Sequence, residues 1–301
     1  MLAHRRLSAV VLLGMLLLLA TTPASIFSQE VQDDEENLLT RDNSFLVEEA
    51  YNQEAGVVQH IFNLVPAWEH GRAAERSLDF VFTQEWPVFS QLHQVSYSIP
   101  LRRIDGVPSE GIGEDVWGMG DIMLNYRYQL LDGNNKAFPL AAAPRFSFIF
   151  PSGDAQAGLG NGKQGYQIAL PLSYELKKWA FNFNAGLTKT DGVTAGLDPD
   201  LPFIGHTIDG YNLGGSVIYS LGPNVNLMLE TVALWDEELQ PDGQEEPQFE
   251  AIVLPGVRWA PYTEGETQWV LGCGVPIGLS PDAPDIGLFF YMSFEHRFLR
   301  K

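Results

Sequence analysis

The chain has 301 residues, 45% of them hydrophobic, with 29 Gly, 19 Pro and a single Cys. That apolar content excludes a disordered chain, and one cysteine excludes a disulfide framework or a Cys-rich zinc site. Lys and Arg number 18 against 38 Asp and Glu, a formal charge of −20; a surface this acidic repels phosphate backbones, so nucleic acid is not expected as a partner.

The N-terminus carries Arg5 and Arg6 ahead of an uninterrupted apolar run, residues 7–20. A membrane-spanning helix needs about 20 such residues and the core of a signal peptide roughly 7–15, so the run fits the second. Small residues at Ala24, Ser25 and Ser28 place cleavage between 24 and 29. Residues 1–28 are therefore expected to be a signal peptide and the chain to be exported. No cysteine stands at the junction to take a lipid anchor. Residues 29–53 form an acidic segment in which residues 44–51 are expected to make a short helix capped by Asn43 or Ser44. The sequence leaves open whether that segment stays outside the following domain or tucks into it.

From residue 54 to 301 the dominant period is two. In residues 121–130 Ile122, Leu124, Tyr126, Tyr128 and Leu130 share one face, and Asp121, Met123, Asn125, Arg127 and Gln129 share the other. Alternation of this kind is the signature of a strand with one apolar face. About twelve such strands are expected, at 56–64, 77–86, 92–100, 118–131, 137–150, 166–176, 179–188, 210–221, 225–235, 248–259, 267–277 and 286–298. The first is the weakest, because neither of its faces is polar throughout.

A soluble sandwich turns such apolar faces inward, whereas a transmembrane barrel turns them to lipid and fills its lumen with polar groups. Three features favour the barrel. Connections after even-numbered strands are short (residues 87–91, 132–136, 177–178, 222–224 and 260–266), and most of those after odd-numbered strands are long (101–117, 151–165, 189–209 and 236–247), as in outer-membrane barrels with short periplasmic turns. All seven tryptophans, Trp68, Trp86, Trp117, Trp179, Trp235, Trp259 and Trp269, fall at or near strand ends, where an interfacial girdle is expected. The last strand ends almost at the C-terminus and closes on Phe298, the type of signal that outer-membrane assembly machinery reads. The expected fold is an all-β, transmembrane, antiparallel up-and-down β-barrel in the outer membrane of a Gram-negative-type bacterium, with lipid and the barrel assembly machinery as partners.

The middle of the chain resembles a known family. Trp117-Gly-Met-Gly-Asp121, followed by Pro151-Ser-Gly-Asp154 and the glycine-rich run from Gly158 through Gly160 to Gly162, is similar to the outer-membrane transporters labelled "MetA-pathway of phenol degradation". The resemblance spans residues 80–298. It implies a barrel that passes small hydrophobic or aromatic compounds and carries no catalytic residues. Physically, those glycines are expected to allow tight bends and positive φ at the barrel rim.

By parity the inward set holds Asp79, Glu85, Asp121, Glu175, Glu230, Glu250 and Glu295 against Arg127, Arg145, Arg258 and Arg297. Ionised groups in apolar surroundings are costly unless wet or paired, so these are the candidates for lining a mildly cation-favouring pore. The competing reading is a sealed structural or adhesion barrel in which the same charges pair with one another. A lipid-modifying barrel enzyme is disfavoured, since His93 and Ser96 have the wrong spacing to share a face. No enzyme activity, cofactor or metal is expected. Cys273 reads as a small lipid-facing residue.

Overall fold

The computed structural model describes residues 42–68, 76–109, 112–135, 137–155, 157–193, 206–239 and 245–298. The expected signal peptide lies outside the described residues.

The strands in chain order are β1 (Val57–Trp68), β2 (Arg76–Val88), β3 (Ser90–Ser109), β4 (Ile112–Met119), β5 (Ile122–Tyr128), β6 (Leu131–Asp132), β7 (Leu140–Ala142), β8 (Arg145–Phe150), β9 (Gly165–Leu176), β10 (Trp179–Val193), β11 (His206–Gly222), β12 (Val225–Leu239), β13 (Glu245–Glu264), β14 (Thr267–Gly274), β15 (Ile277–Gly278), β16 (Ile286–Gly287) and β17 (Phe289–Arg297). Several are pieces of one stave. β4, β5 and β6 run on from one another, as do β7 and β8, β14 and β15, and β16 and β17. Prolines mark two of these breaks, Pro144 and Pro276, where the ladder lacks a donor. Isolated bonds bridge them, such as Tyr128 N–H to Pro144 O and Gly287 N–H to Pro276 O. Twelve antiparallel staves result, and β1 pairs with β17 from Val57↔Arg297 to Leu64↔Phe290, closing the barrel. Closure leaves no unpaired edge, the condition for a sheet to cross hydrocarbon.

Register carries the inward face around the whole wall: Gln59 faces Glu85, Glu85 faces Ser96, Ser96 faces Asn125 and Asn125 faces Ser147. The circuit resumes with Asn182 opposite Ser216, Ser216 opposite Glu230 and Glu230 opposite Leu254. The alternate residues (Phe62, Leu124, Phe146, Ile168, Leu187, Leu213, Leu229 and Phe290 among them) point outward, as the period of two predicts. All seven tryptophans are on the outward parity. Trp86, Trp179, Trp259 and Trp269 stand at the short-turn end, and Trp68, Trp117 and Trp235 at the other.

The strands overrun the expected boundaries at the long-loop end. β3 continues to Ser109 and pairs with β4, and β12 pairs with β13 as far as Leu239↔Glu245. Their sequences, residues 105–109 and 236–247 among them, carry no apolar alternation to announce them. At the opposite end the turns shrink. Only Gly265 (φ 59) and Glu266 separate β13 from β14, and only Phe89 (φ 62) separates β2 from β3.

Residues 42–56 contain no helix. The expected short helix at 44–51 is replaced by an irregular, largely buried segment inside the barrel, because its amides find partners on the wall instead of on one another.

Candidate functional site

The lumen is threaded by residues 42–53, and nearly every hydrogen bond that holds them comes from a wall side chain. The first half lies against β11–β17 and β1. The Glu230 carboxylate accepts three successive amides: Phe45 N–H at 2.8 Å on one oxygen, and Leu46 and Val47 N–H at 2.7 and 3.0 Å on the other. Arg258, fully buried, donates to the carbonyls of Asp42 and Asn43 and lies 3.3 Å from the Glu49 carboxylate. Asp42 accepts from Gln59, Tyr291 and Ser293. The Phe45 ring stacks on Phe289 at 5.1 Å and packs on Tyr291. It fits only because two inward positions are glycine: a Cβ at Gly256 or Gly272 would come within 2.6 or 2.5 Å of the ring. Around it Ile61, Ile218, Met228, Leu254 and Val270 complete a small apolar core. This explains why the first strand looked weak. Its inward Ile61 and Val65 meet an apolar patch of the segment, not water.

The second half lies against β3–β10. Arg127 donates to Asn52 Oδ1 at 2.8 Å, to the Glu48 carboxylate at 2.8 Å, and to the carbonyls of Glu49 and Tyr51. Gln129 accepts from Asn52 N–H and donates to Ala50 O; Gln94 accepts from Gln53 N–H; Ser173 accepts from Ala50 N–H. Asn184 accepts from Glu48 N–H at 2.6 Å and donates to Glu48 O at 2.8 Å, imitating a strand neighbour with a side-chain amide. Buried backbone groups need such partners, and outside a sheet they must come from side chains.

The candidate lining residues fall into three groups. Arg127, Glu230 and Arg258 grip the segment directly. Glu85 stands behind Arg127 at 3.9 Å and accepts from Gln94, and Arg145 reaches Glu48 at 3.3 Å. Glu295 on β17 stands opposite Gln59 and hydrogen-bonds the segment's Gln53, while the rest lie elsewhere on the inward face: Asp79 pairs with Arg102 at 2.5 Å, Arg297 pairs with Glu266, Glu175 is on β9 and Glu250 on β13. Asp121 has a separate task. It accepts from Gly153 N–H at 2.9 Å and Asn161 N–H at 2.8 Å, and so holds the loop after β8 against the break between β4 and β5. Leu159 of that loop sits where a Cβ on Gly118 would lie, at 2.7 Å. Among these motif glycines only Gly158 and Gly162 have positive φ; Gly118, Gly153 and Gly160 serve close approach instead. The uncharged contacts, Gln59, Gln94, Gln129, Ser173, Asn184 and Tyr291, are absent from the charge-based candidate set, although parity alone places each of them inward.

Above the segment, toward the long-loop end, a cavity of about 430 Å³ opens. Leu46 and Phe289 line it together with Val65, Ile104 and Ile252, and Arg102, Asp79 and Glu250 contribute charge. His93 and Ser96, the only pair considered for nucleophilic chemistry, lie on opposite faces of β3. Cys273 is outward and exposed.

The fold and the polar, occupied lumen define an outer-membrane β-barrel protein. No protein-family model and no curated protein sequence matches the chain. Among solved structures, the COG4313 outer membrane channel from Pseudomonas putida F1 is similar with a TM-score of 0.58, at 12% identity, over 82% of this chain and 98% of that one. The translocator domain of the autotransporter NalP from Neisseria meningitidis (TM-score 0.45, 9% identity, 82% of this chain, 90% of that one) and the CymD monoaromatic hydrocarbon channel (TM-score 0.37, 11% identity, 82% and 90%) are more distant.

Proposed function

We propose that this protein is an outer-membrane channel for small solutes whose lumen is closed by residues 42–53 and opens when that segment leaves the wall. The observation that carries the reading is how the segment is held. It is bonded to side chains and joins no strand ladder, so it can leave without unpairing any stave. A barrel needing only a permanent filler has no reason to keep buried Arg127, Arg258 and Glu230, since apolar residues of similar volume fill space at least as stably. The similarity to a structure described as a channel supports the same reading. The apolar side walls of the cavity above Leu46 suit hydrophobic or aromatic solutes, in keeping with the motif resemblance, and its charged rim suits those with a polar group. Once the segment is out, Asp79, Glu85, Glu175, Glu230, Glu250 and Glu295 outnumber the lumen arginines and favour cations. The outward tryptophans sit at headgroup level and fix the barrel in lipid.

A sealed structural barrel is the second reading, favoured by the packing of Phe45. One pair of measurements separates them. Val47 Cγ2 lies 3.1 Å from where a Cβ on Gly214 would be, so Val47→Cys with Gly214→Cys, in a Cys273→Ser background, can lock the segment by a disulfide. In planar bilayers the unlocked protein is expected to conduct intermittently and the oxidised one to fall silent until reductant is added. Equal conductance of locked and unlocked forms would remove the segment as the gate. Silence of both, with no liposome swelling in small sugars, would leave the sealed barrel.

A further inference from the structure

Outside the lumen, two histidines meet on the lipid-facing wall. His60 of β1 and His296 of β17 place their Nε2 atoms 3.2 Å apart across the pair of staves that closes the barrel. They stand near the short-turn end. Phe294 contacts both rings and also packs on the rim residue Trp269, at 5.2 Å, and Phe82 lies over His60 at 6.4 Å. The pair is thus at the level of the short-turn tryptophans, where water and lipid headgroups reach it. Among the described residues no group of three or more His, Cys, Asp or Glu side chains converges on a metal position.

Two features make it more than a contact between rings. His296 Nδ1 lies 3.3 Å from its neighbour's carbonyl, Arg297 O. An Nδ1–H donated to a backbone carbonyl fixes the tautomer and leaves the Nε2 lone pair directed at His60, the supporting hydrogen bond that metal-binding histidines usually make. The spacing also fits one cation. With metal–nitrogen bonds of about 2.0–2.1 Å, two nitrogens 3.2 Å apart subtend roughly 100° at the metal, between the square-planar and tetrahedral angles preferred by Cu(II) or Ni(II) and by Zn(II).

We propose that His60 and His296 form a two-imidazole site for a divalent transition-metal ion, which clamps the first stave to the last at the periplasmic rim. Both imidazoles bind neutral, through Nε2; the proton that His60 carries on Nε2 in the metal-free pair, donated to His296 Nε2, moves to its own Nδ1. Water or a phospholipid phosphate oxygen completes the coordination sphere from the open side. Borderline-soft imidazole nitrogen selects Cu(II) over Ni(II) and Zn(II), and Mg(II) and Ca(II) are excluded by their preference for oxygen.

The test uses the untagged full barrel in detergent micelles, titrated with CuCl2 by calorimetry and followed by electron paramagnetic resonance. One saturable copper per barrel is expected, with couplings from two equivalent nitrogens. His60→Gln, His296→Gln and the double variant should each weaken binding by at least the roughly tenfold that loss of an outer-shell partner alone costs. Both positions face outward, so folding of the variants is checked by their heat-dependent gel mobility. Nickel is expected to raise the temperature of that mobility change in the unaltered protein and not in the double variant. Copper binding that survives the double variant, or no saturation up to millimolar metal, would overturn the site and leave an imidazole–imidazole hydrogen bond. Binding without any stabilisation by nickel would overturn the clamp.

Discussion

The two halves of the lumen segment are held by different physics. Residues 42–47 bury an aromatic ring in a notch made by Gly256 and Gly272 and hang three consecutive amides on one carboxylate. Residues 48–53 pack only Ala50 and the half-buried Tyr51 ring on Ala141 and Ala143, and rely on Arg127 together with the amides of Gln94, Gln129 and Asn184. Apolar burial is non-directional and tolerant of small shifts. Charge-assisted hydrogen bonds are directional, and they leave an unpaired buried charge behind when broken. The first half, where the aromatic notch backs the Glu230 and Arg258 bonds, is therefore expected to survive the loss of a bond that releases the second.

The largest effect is expected from Arg127→Ala. It removes four contacts to the segment, leaves Arg145 as the cation beside Glu48 and takes the guanidinium from beside the buried Glu85, a loss of about 3–5 kcal/mol by the behaviour of broken buried pairs. Hydrogen exchange should speed up by two orders of magnitude or so, since about 1.4 kcal/mol is tenfold, at the amides of Ala50, Asn52 and Gln53. Those of Phe45, Leu46 and Val47 should stay protected. Equal acceleration in both halves would show that the segment moves as one body and break the comparison.

Phe45→Ala is the complementary variant. It empties the notch between Gly256 and Gly272 and costs about 3 kcal/mol as a large-to-small core change. Exchange should rise at residues 45–47 with 50–53 unaffected, and the double variant with Arg127→Ala should show additive losses if the halves are independent. A coupling above about 1 kcal/mol would merge them into one cooperative unit. The smallest effect belongs to Asp121→Asn, which weakens two hydrogen bonds to the loop after β8 by about 1 kcal/mol. Trypsin should cut more rapidly at Lys163 with no change in exchange at either half of the segment; acceleration there would tie the loop to the gate.

The strand count, the inward and outward faces and the sorting of turns by length were legible in the sequence, because each depends on a local period or a local stop. Arg127, Glu230 and Arg258 were legible as inward charges for the same reason. Their partner was not. Phe45 lies 185 residues from Glu230 and Asp42 lies 216 from Arg258, and no local pattern encodes such a distance. The capped run at 44–51 suggested a helix because helix propensity is a weak prior that tertiary partners override. One signal does survive in the sequence. Ile218, Met228, Leu254, Val270 and Phe289 are apolar on a face that is otherwise polar, on successive staves, and apolar lumen residues need something apolar to cover them. The overrun of β3 and β13 left no signal, since stretches such as the acidic residues 236–247 hold no apolar period to read.

The short tether between the segment and β1 sets how such a gate behaves in time. Only Glu54, Ala55 and Gly56 intervene before β1 begins, with Gly56 at φ 84 and the Val57 amide bonded back to Glu54 O. A displaced segment therefore stays at an effective concentration in at least the millimolar range at its own seat. Reseating is then a first-order event, independent of protein concentration, and a free peptide of the same sequence competes poorly. Openings should be brief and frequent instead of lasting, and a solute that holds the segment aside changes how long each lasts more than how often it occurs.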